Sequence, residues 1–436
     1  MEKLESVLSS EMIEKIAKDS GFLKRRSKLK PLCFLKMLLF DHLQIDQPSL
    51  QQHSFSLYDE ANTRISKQGI DKRFNKDADA FVQAVFEKYL NHQIEHEGLS
   101  SALRKFFTAI RIMDSTEFKL PAQMAKEFPG FDGDGTEACA QLQFEYDLLS
   151  GKINHLSIDN ARASDVGYAT KANESLKPGE LVLRDLGYYT LERYKEIEKQ
   201  KAYFVSRLKT QVIIYEKRNG TFEELTYQQI IERLQKGSNK YIDIEVYIGK
   251  EEKQPVRLIA NLLEEEAVNR RIKRKKIRKR KLNQDDELWT QFNLFITNVS
   301  MQTASAEEIY HLYKLRWQIE LIFKSWKSIL KIHLVRPMKV FRFKCYLKSK
   351  LIWIMINWDI VMSFSNNILL NHKKIISLYK CFSILKVMAK QLGNLIFKPN
   401  TNKLQLWLAK LFNVITQHAV KENKKGRVSV KNILKT

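Results

Sequence analysis

The sequence is 436 residues long and carries 74 Lys and Arg against 50 Asp and Glu, a formal net charge of +24. This length exceeds the usual size of one domain, so two to four domains are expected, and the charge favours a polyanionic partner, either nucleic acid or a membrane surface. The best candidate membrane span, 351–358, is far shorter than the roughly 20 apolar residues required, so nucleic acid is favoured and a membrane protein is not.

Residues 1–104 predict a helical DNA-binding domain. Ser49, after Pro48, is a suitable N-cap for one of its helices. Segment 65–75 looks like the second helix of a helix-turn-helix, in which Lys72 and Arg73 are the residue types that contact phosphates or base edges. Many surface helices are equally rich in Lys and Gln, so a solvated helix is the alternative.

Residues 105–208 predict the first part of an α/β core. The expected elements are strands at 109–113, 141–149, 153–158, 181–184 and 202–208, with a helix at 163–176. The strand at 109–113 is expected to end on Asp114, and the strand at 181–184 on Asp185. Three strands, a helix and a fourth strand are the opening order of a ribonuclease-H-like domain, although order alone does not prove that fold.

Residues 209–290 predict a mostly β insertion that ends in a basic arm. Strands are expected at 212–215, 241–248 and 256–261. The dense basic run 270–281 is typical of a solvated, mobile arm. In a DNA-binding protein such an arm can lie along phosphates, with an affinity that falls as salt rises. A Lys-rich composition that only reflects an AT-rich genome is the alternative explanation of the charge.

Residues 291–338 predict the second part of the core, with a strand at 289–298 and then one helix from Ser305 to about Leu330. Ser305 and Glu308 resemble a capping box. The last predicted domain, 339–436, is helical and has a basic tail at 421–435.

Four residues of the predicted helix share one narrow face. Each helical residue advances by about 100°, so with Tyr313 at zero, Arg316 falls near 300°, Glu320 near 340° and Lys327 near 320°. A carboxylate flanked by fixed cations suits a site that holds a metal ion and a phosphodiester together. An ordinary i,i+4 pair between Arg316 and Glu320 is the simpler alternative.

Three carboxylates form the candidate metal set: Asp114, Asp185 and Glu320. Mg²⁺ prefers carboxylate oxygens, and two such ions about 4 Å apart can activate a water or a 3′-hydroxyl and stabilise the leaving oxygen. An Asp after a strand is often only a turn residue, and Asp159 and Asp165 are rival candidates on the same grounds.

The spacing of Tyr313, Arg316, Glu320 and Lys327 resembles the Y-R-E-K signature of bacterial insertion-sequence transposases, in the insertion-sequence-four family of DDE enzymes. The resemblance covers about 105–335 and includes two further motifs. They are the block at 114–116, which resembles the one holding the family's first aspartate, and the D-x-G-Y block at 185–188, which resembles the second.

By that resemblance, Asp114, Asp185 and Glu320 would be the catalytic residues and would hold Mg²⁺, with Mn²⁺ as a possible substitute. The core would be ribonuclease-H-like. The family cuts at the terminal inverted repeats of its element and joins the freed 3′-hydroxyls to target DNA. The side chains expected to contact DNA are Tyr313, Arg316, Lys324, Lys327, Lys72 and Arg73.

The resemblance also implies partners and a location. Double-stranded DNA would be the substrate, 1–104 would recognise the element ends, and 339–436 would contact the second copy of a synaptic homodimer. Four cysteines without metal-ligand spacing and an N-terminus without the apolar stretch of a signal peptide fit a reducing cytosol. The resemblance implies a bacterial cytoplasmic, nucleoid-associated protein.

One departure from the family pattern concerns the strand before the glutamate helix. Members that pass through a DNA hairpin stack a tryptophan there on a flipped base. The matching position here is Asn293, with Phe292 and Trp289 nearby, so the sequence leaves the hairpin step open. A catalytically silent, transposase-derived regulator and a ribonuclease-H-like nuclease without strand joining are the alternative functions.

Overall fold

The computed structural model describes residues 6–25, 27–92, 102–131, 136–210, 212–237, 239–278, 284–397 and 401–422. The chain divides into two compact units. Within the described residues, the helical unit comprises 6–92, 115–163 and 319–422, and the sheet unit comprises 102–114 and 164–318. The fold is mixed α/β, and the division into five domains stays a prediction.

The N-terminal part of the helical unit consists of helices, of which Pro31–Gln44 is largely buried. They are α1 (Ser10–Asp19), α2 (Pro31–Gln44), α3 (Leu50–Ala61), α4 (Lys67–Arg73) and α5 (Lys76–Asn91). Ser49 caps α3 in a capping box with Gln52, as predicted, and Asn62 ends the helix in the left-handed conformation with φ 46°. The predicted recognition segment is the short helix α4 and its two flanking caps.

The helical unit also contains the end of a strand and a hairpin. Strand β1 (Ala109–Lys119) enters this unit at Ser115. It is followed by β2 (Cys139–Asp147) and β3 (Ile153–Asn160), which pair antiparallel around a turn whose Gly151 has φ 73°. The strand predicted to end on Asp114 runs five residues further, to Lys119. Backbone pairing continues past Asp114, since the Leu120 N–H bonds the Ala138 carbonyl.

Helices complete the sheet unit and the helical unit. The sheet unit contains α6 (Asp165–Glu174), α7 (Leu191–Lys199), α8 (Tyr227–Lys236), α9 (Glu265–Arg278), α10 (Gln284–Thr290) and α11 (Ala306–Leu315). The helical unit contains α12 (Trp317–Ile329), which enters this unit at Ile319. It also contains α13 (Val340–His372), α14 (Leu378–Phe397) and α15 (Thr401–His418). In the described part of the chain, no helix is long and apolar enough to cross a membrane.

The sheet unit is organised around a mixed sheet. Its other strands are β4 (Glu180–Arg184), β5 (Tyr203–Arg207), β6 (Ile214–Arg218), β7 (Thr221–Glu224), β8 (Ile242–Ile248), β9 (Gln254–Leu262) and β10 (Phe292–Thr297). The strand order in this unit is β1-β4-β5-β10-β9-β8-β6-β7. β1, β4 and β5 are parallel, and the remaining pairs are antiparallel. The predicted inserted strands thus extend the core sheet through β10 and β9.

Two sequence-based expectations, the strand start at Trp289 and the single helix after Ser305, are wrong, and the basic run has a secondary structure that the sequence analysis did not specify. The basic run is helical in α9 as far as Arg278, and its last three residues lie outside the described residues. Trp289 belongs to α10, and the strand starts only at Phe292. The helix that begins with the predicted Ser305 capping box is interrupted at Arg316, whose N–H bonds the Tyr313 carbonyl three residues back. Arg316 keeps α-helical dihedral angles, with φ −52° and ψ −35°, so one tighter turn divides the expected single helix in two.

Candidate active site

Two of the three candidate carboxylates stand next to each other at one edge of the sheet unit. β1 and β4 are parallel, and Met113 pairs with Arg184. Asp114 and Asp185 are the next residue on each strand, so they occupy neighbouring positions, where adjacent strands are about 4.8 Å apart. The carboxyl edge of parallel strands is the usual place for a ligand site in α/β proteins.

A third strand brings a cation to the same edge. β4 and β5 are parallel with Leu183 opposite Val205, and two further residues along each strand lead to Asp185 and Arg207. The electrostatic neighbours of Tyr313 include both Asp185 and Arg207. Sequence reasoning missed Arg207, although it closes the strand after the second aspartate.

The strands are held at this edge by buried polar contacts below it. The fully buried Arg184 donates from Nη1 to Asn173 Oδ1 at 2.7 Å. Arg111 Nη1 lies 3.1 Å from Glu180 Oε2. These bonds tie β1 and β4 to one another and to α6, so the aspartates project from a rigid frame.

Asp185 and the turn after it have different surroundings from Asp114. Asp185 is exposed, and its side chain does not cap the short turn that follows. A Cβ added to Gly187 in that turn would lie 3.2 Å from Asp165 Oδ2, tighter than most real contacts. Asp165, a rival candidate in the first turn of α6, is therefore close to the D-x-G-Y block. The other rival, Asp159, lies on β3 in the helical unit and accepts from Ser157 at 3.1 Å.

Arg316 and Tyr313 lie at the aspartate edge in the sheet unit. Arg316 Nη1 is 3.2 Å from Asp114 Oδ2, and both side chains are mostly buried, with 14% and 19% exposed. Burial raises the pKa of the Tyr313 phenol, Arg316 lowers it, and Asp185 raises it further. The structure thus brings Asp114, Asp185, Tyr313 and Arg316 together.

Glu320, Lys324 and Lys327 belong to α12 in the helical unit. The helix packs through Trp326 on Phe144 of β2, with ring centroids 5.0 Å apart. Glu320 is half-buried and Lys324 is exposed. Lys327 donates from Nζ to the Glu117 carbonyl at 3.0 Å, and burial lowers its pKa. Glu320 and Lys327 are seven residues apart, so they share one face of α12.

The predicted DNA-contacting residues of α4 also have structural contacts. Arg73 lies over the Phe22 ring, 4.3 Å from its centroid, whereas Lys72 is exposed. Ser66 and Asn75 accept bonds from backbone N–H groups as helix N-caps. Those two side chains are used in capping, whereas Lys72 is exposed and available to a phosphate.

The position matching the family's hairpin tryptophan is buried in a polar contact. Asn293 Oδ1 accepts from Arg271 Nη2 at 2.6 Å, and its Nδ2 donates to Asn261 at 3.3 Å. Trp289 packs on Tyr227, with ring centroids 5.2 Å apart. Both side chains are therefore engaged within the sheet unit, and burial lowers the pKa of Arg271 to about 10.

The carboxylate geometry fits a divalent cation in part. Among the residues that the structure describes, no group of three or more His, Cys, Asp or Glu side chains is close enough to hold a metal. Asp114 and Asp185 are nevertheless neighbours, and Mg²⁺ needs only one or two carboxylates when water and phosphate oxygens complete its shell.

Comparison with known proteins gives the family. The family model described as "Transposase DDE domain" matches residues 105–356. The transposase for insertion sequence element IS1151 of Clostridium perfringens is 32% identical over 97% of this chain and 93% of the relative. The transposase for insertion sequence element IS231F of Bacillus thuringiensis subsp. israelensis is 28% identical over 100% of this chain and 94% of the relative.

A solved structure is also similar to the chain. The cryo-EM structure of a piggyBac transposase synaptic complex with hairpin DNA has a TM-score of 0.45 and 11% identity, covering 99% of this chain and 87% of that one. The family match and the full-length relatives confirm the resemblance first seen in the signature residues. The chain belongs to the DDE transposase family and is the DNA transposase of an insertion sequence.

Proposed function

We propose that this transposase cuts DNA at the terminal inverted repeats of its element and joins the freed 3′-hydroxyls to target DNA at a centre built on Asp114, Asp185 and Glu320. The observation that carries the proposal is the pairing of β1 with β4, which puts the two aspartates side by side. Strands fixed by buried arginine contacts hold both carboxylates at that edge.

The two aspartates supply the oxygen ligands that Mg²⁺ prefers, with Mn²⁺ as a possible substitute, and Glu320 supplies a third carboxylate from α12. When bound, such ions activate the attacking hydroxyl and stabilise the leaving oxygen of an in-line displacement. A ribonuclease-H-like core is the fold class that we propose for this arrangement of parallel strands.

The cations near the carboxylates hold the DNA backbone. Arg316 and Arg207 lie at the aspartate edge of the sheet unit, where a guanidinium can bond a phosphate through two N–H groups. The Tyr313 hydroxyl can donate to a phosphate oxygen, because its raised pKa keeps it protonated. Lys324 and Lys327 offer positive charge on α12.

Regions outside the core have the remaining roles. Lys72 and Arg73 contact DNA from α4, and the N-terminal helices recognise the element ends. Helices α13 to α15 provide the contact with a second copy of the chain in a synaptic homodimer. The formal net charge of +24 supports DNA as the partner throughout.

The test uses purified full-length protein, Mg²⁺ and DNA carrying the element ends. We expect nicking and joined products. The variants Asp114→Asn, Asp185→Asn and Glu320→Gln should lose cleavage by at least a hundredfold but keep end binding, since each removes one negative charge without changing the side-chain volume. Asp159→Asn is the matched control and should cut normally.

Any other result would contradict one part of the proposal. Wild-type cutting by one of the three variants removes that residue from the centre, and loss of cutting in Asp159→Asn makes the rival residue the better candidate. Nicking without joined products identifies a nuclease. Binding without nicking identifies a silent regulator.

A further inference from the structure

Two arginines from different elements lie on one face of the sheet unit. Arg207 of β5 stands opposite Phe295 of β10, and residues that face each other across an antiparallel pair project to the same side. Asn293 lies two residues before Phe295 on β10, so it projects to that side as well. Arg271 reaches Asn293 from α9, with its Nη2 2.6 Å from Asn293 Oδ1. Arg207 and Arg271 therefore share this face.

Neither arginine is neutralised within the described part of the chain. Arg271 donates to two uncharged acceptors, the Phe292 carbonyl at 2.9 Å and the Asn293 carboxamide. Arg207 forms no ion pair and no side-chain hydrogen bond with any described residue. A partly buried charge without a partner carries a desolvation cost, so two such charges on one face favour an anion.

The two guanidinium groups are close enough to affect each other. Burial, followed by the charge of Arg207, lowers the pKa of Arg271 to about 10, so Arg271 remains charged at neutral pH. Diagonal neighbours across an antiparallel pair, such as Arg207 and Asn293, are about 7–8 Å apart. An oxyanion that bonds two guanidinium groups at about 2.8 Å each holds their nitrogens roughly 6–8 Å apart. The spacing on this face therefore suits one phosphate.

A ligand can reach both guanidinium groups. Each of the two residues is half-buried. Among the described residues, no guanidinium nitrogen of Arg207 or Arg271 is both buried and without a hydrogen-bond partner. Arg271 bonds the protein through Nη1 and Nη2, so its Nε–H is open to solvent. The Arg207 guanidinium, which bonds no described residue, is open at each nitrogen.

Helix α11 relates the arginine pair to the aspartate edge. Tyr313 is an electrostatic neighbour of Arg207, and Tyr310 is a neighbour of Arg271. Both tyrosine rings pack on Phe295, with centroids 5.1 and 5.8 Å away. Tyr310 lies one helical turn, about 4.5 Å, further from the aspartate edge than Tyr313. Successive nucleotides of a strand rise about 3.4 Å along a duplex, so this turn corresponds to one or two nucleotides.

We propose that Arg207 and Arg271 together bind a DNA phosphate one or two nucleotides from the reacting one, and that Asn293 positions Arg271 for this contact. This assignment rests on the proposed function, which makes DNA the partner. A guanidinium suits a phosphate because it can bond two oxygens at once. Asn293 is itself oriented, since its Nδ2 donates to Asn261 Oδ1 at 3.3 Å and its oxygen is thereby turned to Arg271.

Uncharged phosphates test the contact without requiring cleavage. Full-length protein is bound in EDTA to DNA carrying the element ends, in which each phosphate near the terminus is replaced in turn by a neutral methylphosphonate. At the contacted phosphate, wild type should lose affinity by about tenfold or more, as for a bond to a charged group. Arg271→Gln and Arg207→Gln should bind unmodified DNA more weakly and respond little to that methylphosphonate, because the contact is already lost.

Two further variants separate this contact from general effects. Arg270→Gln is the matched control, because it removes the same charge from the adjacent, exposed residue of α9, which pairs with Glu266 at 3.5 Å. It should keep the response of wild type. Asn293→Asp should lose the response as Arg271→Gln does, because the new carboxylate would pair with the guanidinium in place of the phosphate. A merely structural role of Asn293 would instead weaken binding equally at every modified phosphate.

Inorganic phosphate separates a DNA phosphate from a free one. Its binding to wild type, Arg271→Gln and Arg270→Gln is followed by ³¹P NMR line broadening at fixed ionic strength. A methylphosphonate effect near the terminus that Arg271→Gln and Arg207→Gln relieve supports the proposal. Relief only at distant phosphates, or no relief while inorganic phosphate binds wild type and Arg270→Gln but not Arg271→Gln, would overturn the DNA assignment.

No difference between Arg271→Gln and Arg270→Gln in either measurement would overturn the whole proposal. This failure is distinct from failure of the proposed function. Wild type that binds the element ends and cuts them keeps its proposed function whatever the arginine variants do. Wild type that binds no element ends contradicts the proposed function and the DNA assignment together, and inorganic phosphate then decides whether the arginine pair holds an anion.

Discussion

The ion pair between Arg316 and Asp114 predicts how metal binding responds to loss of the guanidinium. Arg316 Nη1 lies 3.2 Å from Asp114 Oδ2. A Mg²⁺ ion bound to that oxygen would lie about 2.1 Å from it. The ion would then be at most about 5.3 Å from the guanidinium nitrogen, which is the sum of the metal–oxygen and oxygen–nitrogen distances. A single and a double positive charge at that separation repel by about 1.6 kcal/mol in the dielectric of water.

Replacing Arg316 by Gln should therefore tighten binding of the divalent ion roughly tenfold. The measurement is a Mn²⁺ titration of full-length protein without DNA, followed by electron paramagnetic resonance at fixed ionic strength. Arg316→Lys keeps the charge and should stay near wild type. Arg218→Gln is the matched control, because it removes an exposed cation from β6, several strands away in the sheet order, where salt screens its effect.

Equal or weaker Mn²⁺ binding by Arg316→Gln would refute this reasoning, since it would mean that the ion does not use the Asp114 oxygen beside the guanidinium. Tighter binding in Arg218→Gln to the same extent would attribute the effect to net charge. The same Arg316→Gln variant should cut DNA more slowly, because it also loses a phosphate contact. The two measurements should thus move in opposite directions.

Three further predictions concern other parts of the chain. Burial lowers the pKa of Lys350 to about 8, whereas the usual lysine pKa is 10.5. Between these two pH values the unfolded chain therefore binds the Lys350 proton more tightly than the folded chain does. Folding stability should rise by up to about 3 kcal/mol across this range, and urea unfolding of Lys350→Met should lack that contribution. Changing the exposed Lys273, Arg274 and Lys276 of α9 to Gln should flatten the salt dependence of DNA binding by up to about 2.7 in log–log slope, and an unchanged slope would mean that this face does not meet phosphates. Ser305→Ala should lower the free energy of unfolding by about 1 kcal/mol, because it removes the α11 cap, and an unchanged thermal midpoint would contradict this.

Local patterns in the sequence determined much of the secondary structure. Ser305 with Glu308, and Ser49 with Gln52, are capping boxes whose bonds depend only on residues three apart. The turn at Gly151 and the strand before Asp185 were also predictable, because glycine and alternating apolar residues act over a few positions. The family was visible for the same reason, since its signature is carried by local spacing.

Long-range contacts decided what the sequence did not. Asp114 proved to lie within β1, because that strand pairs with β4 as far as Met113 and then continues to Lys119. Arg207 entered the site because strand pairing brings β5 beside β4. Neither pairing leaves a local pattern in the sequence.

The residue sequence by itself determined the family, the helix caps and the types of side chain proposed for the centre. Only the tertiary structure decided that Asp114 and Asp185 are neighbours, that Arg316 pairs with the first of them, and that the long helix breaks at Arg316. Caps and turns depend on bonds between residues a few positions apart, whereas strand neighbours and ion pairs join residues far apart in the chain, such as Asp114 and Arg316.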